Sequence, residues 1–369
     1  MSLDQGMEAD VQSLRPEEFE PQFKGSAAEY FRIWIVNLFL TIITFGVYSA
    51  WAKVRTQRYF LGNTELAGSN FEYTGDPLKI LKGRLLIGSL IGLYYLAVKF
   101  VPEFAYAAAF LITLGSPWII VNALAFRLRN TVYRGLRFGF ERNYRDANTI
   151  YLLHGILFSV LSLGFYYPAA LAKWYRFLGR NSRYGQASFK SDLQVLTVYE
   201  IVAKTLIGVV LGAVVIMICG ILIVAPFHSL SNSSEVLGVM GKLLAILGAA
   251  GFFAAVMLFY LCVLTIPVAI GIQIKRAFWN SLSLEKVFFV SVVNTAELLW
   301  IWVTNALAII FSLGMLYPWA RVRKYKYELS HLRVMAAADN MKSFAQTPNQ
   351  DVRPLGEASA DLLDIGLEI

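Results

Sequence analysis

Two stretches of this chain carry the same distinctive residues at the same spacing. Residues 29–59 read EYFRIWIVNLFLTIITFGVYSAWAKVRTQRY, and residues 297–327 read ELLWIWVTNALAIIFSLGMLYPWARVRKYKY. Laid over each other without a gap, they agree at Glu29/Glu297, Ile33/Ile301, Trp34/Trp302, Asn37/Asn305, Ile42/Ile310, Gly46/Gly314, Trp51/Trp319, Ala52/Ala320, Val54/Val322, Arg55/Arg323 and Tyr59/Tyr327. Lys53/Arg321 and Arg58/Lys326 keep the charge. Chance likeness between apolar segments would not preserve Trp, Asn, Gly and Arg together. A weaker third copy aligns Gly164 with Gly46, Arg176 with Arg58, Asn181 with Asn63 and Phe189 with Phe71.

The chemistry these residues offer is recognition of an anion at a membrane interface. Trp51, Lys53, Arg55, Arg58, Arg176, Trp319, Arg321 and Arg323 follow apolar runs directly. Indole rings favour the headgroup level, and cations there meet lipid phosphates. One reading makes them a binding site for a lipid headgroup or charged solute. The plainer one makes them anchors for helix ends. Glu29, Ile33 and Asn37 are spaced i, i+4, i+8 and share a helix face, as do Glu297, Ile301 and Asn305. An Asn inside an apolar helix needs a partner, either a neighbouring helix or a solute pathway. His154 occupies a comparable depth in the weaker copy. Gly46, Gly164, Pro168, Gly314 and Pro318 mark breaks where each helix must stop.

These residues sit in a chain of 369 residues that is 57% hydrophobic and only 16% charged. Soluble domains hold nearer 25% charged residues, so an ordinary soluble enzyme is disfavoured. The apolar residues fall in runs near 31–50, 84–101, 104–126, 149–172, 202–228, 242–274 and 296–320. Most approach the ~20 residues that cross a bilayer as a helix. The expected fold class is therefore all-α, a polytopic membrane protein of about seven apolar segments. Three copies of the motif lie near 29–71, 147–189 and 297–334, and hairpins near 84–126 and 202–274. An acidic polar tail at 1–28 and another at 335–369 each hold six acidic and two basic residues. The net charge of +8 thus hides a core at +16.

That basic charge poses a topological problem. Lys and Arg cluster in 51–84, 127–148, 173–204, 275–294 and 321–334, while the hairpin tips near 102 and 229–241 hold almost none. Positive segments belong on the cytoplasmic side. If every motif copy crossed once, 173–204 and 275–294 would lie outside. Four full spans with three re-entrant motif copies remove the violation; seven crossings with a tolerated violation is the other reading.

Catalytic signatures such as HExxH, GxxxxGK[ST] and GxSxG are absent, so no enzyme is expected. The three histidines are scattered, and Cys219 and Cys262 lie in apolar runs, so no metal or cofactor is expected. The expected partners are membrane lipids with anionic headgroups; nucleic acid is not expected, and a homo-oligomer is compatible with the sequence.

The run from Thr44 to Arg55 (TFGVYSAWAKVR), with Arg58-Tyr-Phe, Asn63-Thr and Gly68-Ser-Asn-Phe-Glu-Tyr-Thr-Gly, resembles the bacterial YjgN family. Phe23-Lys-Gly matches that family's opening, and the resemblance covers nearly all of residues 23–334. It implies a bacterial inner-membrane location. It supplies no activity or catalytic residue to carry over. Three functions are weighed: a transporter or channel-like protein for a small or anionic solute, a lipid-interacting envelope scaffold, and, least favoured for want of a nucleophile, carboxylate pair or metal cluster, a membrane enzyme.

Overall fold

The computed structural model describes residues 17–100, 102–232 and 238–336. Most of both acidic tails lies outside these residues, as do the side chains of Cys219, Cys262 and His228. The chain is mostly helical, but it is not all-α. Eleven short strands form one antiparallel sheet. These are β1 Glu17–Phe19, β2 Gln22–Phe23, β3 Thr64–Leu66, β4 Ser69–Tyr73, β5 Thr131–Tyr133, β6 Leu136–Phe140, β7 Ser182–Tyr184, β8 Ala187–Ser191, β9 Leu282–Leu284, β10 Val287–Ser291 and β11 Leu332–Ala336. Strands of two to five residues are too short to show the alternation that betrays longer ones. Residues 17–23, which composition assigned to the polar tail, supply two of them.

The local chemistry that makes these hairpins is legible in hindsight. Ala67-Gly68 and Arg134-Gly135 both take positive φ at two-residue turns, with values of 46° and 76° and of 48° and 78°. That is the type I′ geometry whose twist matches the flanking strands. Before four of the hairpins, a helix ends at an Asn: Asn63, Asn130, Asn181 and Asn280. Three of these donate back to the carbonyl four residues earlier, Asn63 to Tyr59, Asn130 to Phe126 and Asn181 to Phe177, at 2.8–2.9 Å. Asn280 instead accepts from the Ser291 N–H at 2.6 Å.

The sheet order runs β1-β11-β10-β9-β8-β7-β6-β5-β4-β3-β2. Its two edge strands are consecutive in the chain, joined through Glu20 and Pro21. Three virtual bonds reach at most about 11 Å, so the sheet must bend until its ends nearly meet. Pro21 donates no N–H and suits this seam. One backbone hydrogen bond recurs at each hairpin boundary. The N–H just past a second strand reaches the carbonyl that ends the next helix: Thr74 to Asn130, Glu141 to Asn181, Asp192 to Ser281 and Val292 to His331, at 2.7–3.2 Å. Lys24 to Asn63 (2.8 Å) repeats the link after β2. The core lies against this sheet, drawing Leu66, Tyr133, Phe140, Tyr184, Phe189, Leu284, Val287 and Val334 into one cluster.

The helices are α1 Ala27–Ile43, α2 Ser49–Gly62, α3 Pro77–Phe100, α4 Pro102–Arg129, α5 Tyr144–Asn148, a π-helical stretch Thr149–Leu157, α6 Phe158–Leu161, α7 Tyr167–Asn181, α8 Val195–Asn232, α9 Gly238–Ser281, α10 Thr295–Phe311 and α11 Tyr317–Ser330. Four segments are long and apolar enough to cross a membrane: Pro77–Phe100, Ala105–Arg129, Val195–Leu222 and Ile246–Ser281. Two compact units emerge, 196–275 and the remainder. Within the smaller unit, Gln273 Nε2 donates to Thr205 Oγ1 at 2.9 Å, and Gly220 lets Ala255 approach closely. All eleven strands belong to the larger unit, and the basic segments 51–84, 127–148, 275–294 and 321–334 adjoin or contain strands of that one sheet.

Candidate functional site

Around each motif Gly the chain reverses between two helical arms, α1 to α2, α6 to α7 and α10 to α11. In the first reversal, Phe45 and Gly46 take φ of 48° and 90°; Leu163/Gly164 and Leu313/Gly314 take 51° and 90°. Gly fits that left-handed region without penalty. The bulkier residue before it is strained by about 1–2 kcal/mol.

The hydrogen bonds of the three turns match one for one. Gly46 N–H reaches Thr41 O, Gly164 reaches Ser159 and Gly314 reaches Ile309, at 2.7–2.8 Å. Such a bond, spanning five residues back, closes a helix end. Phe45, Leu163 and Leu313 donate three residues back at 3.0–3.1 Å. A hydroxyl caps the next free donor: Thr44 accepts from Tyr48 N–H, Ser162 from Tyr166 and Ser312 from Leu316, at 2.8–3.0 Å. From Thr44 to Ser49 every backbone N–H has an acceptor inside the turn. The side chains at the tips are apolar and uncovered, Phe45 at 98% exposure, Leu163 at 89% and Leu313 at 94%.

The conserved spacing of the two strongest copies now has a physical meaning. Their arms run antiparallel. At the base, Tyr59 Oη donates to Glu29 at 3.3 Å and Tyr327 Oη to Glu297 at 2.8 Å. Glu29 also completes a capping box with Ser26. At mid-height, Asn37 Nδ2 reaches Ala52 O at 3.5 Å and Asn305 Nδ2 reaches Ala320 O at 2.9 Å. Both Asn residues are buried. Glu, Asn, Gly, Ala and Tyr thus fix the base, middle and tip of a helical hairpin. Pro168 and Pro318 stand in the first turn of the returning arm, where a missing N–H costs nothing.

The basic residues separate by environment. Arg323 Nη1 donates to Thr304 Oγ1 at 2.8 Å and Asn305 Oδ1 at 3.2 Å, and its guanidinium lies 5.1 Å from the Trp319 ring. Arg321 stacks on Phe60 at 4.9 Å and donates to Tyr30 Oη at 3.2 Å, joining α11 to the first hairpin. Tyr325 contacts Thr64, Phe23 and Phe60 in the same seam. Arg58 Nε reaches Tyr73 O at 3.4 Å. Arg55 is exposed, and Lys53 and Trp51 are half-buried, with Trp51 stacked on Tyr48 and packed on the Ala50–Ile80 cluster. Arg176 has a buried Nε with no hydrogen-bond partner. Among the described residues no contact joins Arg176 to Arg55 or Arg323.

In the second hairpin, His154 projects from the π-helical stretch and meets the returning arm. Its Nδ1 lies 2.9 Å from Tyr166 Oη and its Nε2 3.0 Å from Lys173 Nζ. Lys173 is the counterpart of Arg55 and Arg323, and His154 the counterpart of Thr304. Sequence reasoning missed two further features. The capping hydroxyls Thr44, Ser162 and Ser312 stand two residues before each motif Gly and could have been found by that spacing. Arg84, which donates to Ser49 Oγ beside the first turn, carries no distinguishing sequence signal. No group of His, Cys, Asp and Glu among the described residues could hold a metal.

Four membrane-length helices and exposed apolar turns define a multi-pass membrane protein. The chain belongs to the family described as bacterial protein of unknown function (DUF898), whose model matches residues 18–362. It is similar to the inner membrane protein YjgN of Salmonella typhimurium, 24% identical across 87% of this chain and 89% of that protein. A segment of 51 residues is 45% identical to inner membrane protein YjgN of Escherichia coli K12, covering 14% of this chain and 13% of that protein. No solved structure matches. The location is the bacterial inner membrane.

Proposed function

We propose that this protein is a lipid-interacting scaffold of the inner membrane. In this reading four helices cross the bilayer, and three re-entrant hairpins dip into the leaflet on the side of the sheet. The observation that carries it is the set of three turns whose backbone donors are all met internally while their side chains are bare and apolar. Lipid offers no hydrogen-bond partner, so a turn placed in hydrocarbon must satisfy itself. A turn emerging into water would gain nothing from exposing Phe45, Leu163 and Leu313. The first arms of two hairpins, α1 and α10, have 17 residues each, about 25 Å at 1.5 Å per residue, which is less than the about 30 Å hydrocarbon core.

This arrangement also relieves the charge problem. With re-entrant hairpins, the sheet and its basic flanks share the cytoplasmic side, as positive charge requires. Exposed cations of the returning arms, Arg55 among them, then stand at headgroup depth, where each cation near an anionic surface contributes about 1 kcal/mol. The transport reading relied on Asn37 and Asn305 lining a pathway. Both amides are instead buried against a carbonyl of their own hairpin.

The test is to purify the full chain in mild detergent and identify what stays bound. Retained anionic phospholipid supports the scaffold. A retained small solute, or anion flux in vesicles reconstituted with the protein, overturns it.

A further inference from the structure

The first and third hairpins share their sequence pattern but differ at one polar position, and that difference frees one cation. In the third hairpin Arg323 turns inward. It has two acceptors there, Thr304 Oγ1 and Asn305 Oδ1. In the first hairpin the same places are held by Arg55, Val36 and Asn37. Val36 offers no acceptor. Arg55 points out and is exposed, and it makes no hydrogen bond or ion pair among the described residues. Asn37, only 4% exposed, is left with a buried Oδ1 that no donor meets. An unmet buried acceptor costs about 1–3 kcal/mol, so the outward position of Arg55 needs a compensating partner.

We propose that Arg55, beside Trp51, binds the phosphate of an anionic phospholipid, and that the third hairpin lacks this site because Arg323 is occupied internally. The inference rests on the scaffold reading above. Arg55 lies one helical turn past Trp51 toward the sheet, at the level where the apolar arm gives way to charge. A guanidinium there matches a phosphate with two parallel N–H donors. The lipid tails would run along the exposed apolar arm toward Phe45. Losing the lipid would let Arg55 swing in to Asn37 Oδ1, as Arg323 does to Asn305.

The experiment uses the full chain reconstituted in vesicles of phosphatidylcholine with one-fifth phosphatidylglycerol, extracted gently, with bound lipid counted by native mass spectrometry. Four chains are compared: wild type, Arg55→Ala, Arg323→Ala and Val36→Thr. Arg55→Ala should retain several-fold less phosphatidylglycerol. Arg323→Ala should retain it at the wild-type level per folded molecule while melting at a lower temperature. Val36→Thr keeps every charge but rebuilds the inward site, so it should also lose phosphatidylglycerol, without a lower melting temperature. Added inorganic phosphate should not displace the lipid; displacement would make the site one for a free anion and overturn the lipid assignment. Equal retention by Arg55→Ala and wild type, or equal loss in Arg55→Ala and Arg323→Ala, overturns the inference alone. A wild-type chain with no preference for phosphatidylglycerol overturns the scaffold reading with it.

Discussion

The side-chain amide of Asn305 donates to the carbonyl of Ala320 at 2.9 Å, tying the two arms of the third hairpin at mid-height. The same atoms in the first hairpin, Asn37 and Ala52, stand 3.5 Å apart. A buried amide bond inside an apolar hairpin contributes about 1–2 kcal/mol, and stranding Arg323 adds to the loss. Asn305→Leu should therefore destabilise by about 2 kcal/mol, and Asn37→Leu by less than 1 kcal/mol, because the change also removes an unmet acceptor. Thermal unfolding of both variants in the same detergent checks the order. A larger loss at Asn37 would contradict it.

Each turn glycine sits at φ +90°, with nothing within 4 Å of where a Cβ would stand. The cost of substitution is thus conformational, not steric. Gly46→Ala, Gly164→Ala and Gly314→Ala should each destabilise by about 1 kcal/mol. Their effects should add, since the turns are separate structures. A triple variant that melts with the wild type would show the turns are not built as described.

Sidedness offers a direct check on the sheet. Gln186 and Glu285 are exposed at turns of two different strand pairs. In a background with Cys219 and Cys262 replaced by Ala, single cysteines at these positions should both be shielded from an impermeant thiol reagent in intact cells. Both should react in inverted membranes. Labelling of one from outside would be incompatible with a single sheet.

The tyrosines of the sheet set an alkaline limit. Tyr184 Oη donates to Tyr133 O at 2.9 Å, and Tyr133 Oη to Leu66 O at 2.7 Å. Burial raises both phenols above their usual 10.0. Their protonated form is favoured by folding, so this stability is whole below pH 10 and is lost as pH climbs toward the folded values. Absorbance of tyrosinate near 295 nm should show these two groups titrating late and together with unfolding. Tyr184→Phe should unfold at higher pH than the wild type, though about 1 kcal/mol less stable at neutral pH. Free titration of both groups at pH 10 would refute their burial.

Much of the helical hairpin was readable because its residues recur together in a second copy, as Glu297, Asn305, Gly314 and Tyr327. Glu29, Asn37, Gly46 and Tyr59 stand out, and their spacing encodes base, middle and tip. The placement of Arg321 against Tyr30 and Phe60 could not be read, since it depends on which copies become neighbours. The sheet was hidden for a different reason. Its strands are a few residues long, and most of their pairing energy lies in backbone groups that carry no residue signature. Ala67-Gly68 and Arg134-Gly135 were the visible trace, and they mark turns without saying that strands from distant segments pair.

In the proposed re-entrant arrangement the three hairpins end in hydrocarbon. Spin labels on single cysteines at Phe45, Leu163 and Leu313, in protein reconstituted into vesicles, measure this through collision with oxygen and with a water-soluble nickel complex. All three labels should be accessible to oxygen and protected from nickel, at a depth short of the far headgroups. Strong nickel access at any tip would place that turn in water and contradict the re-entrant arrangement.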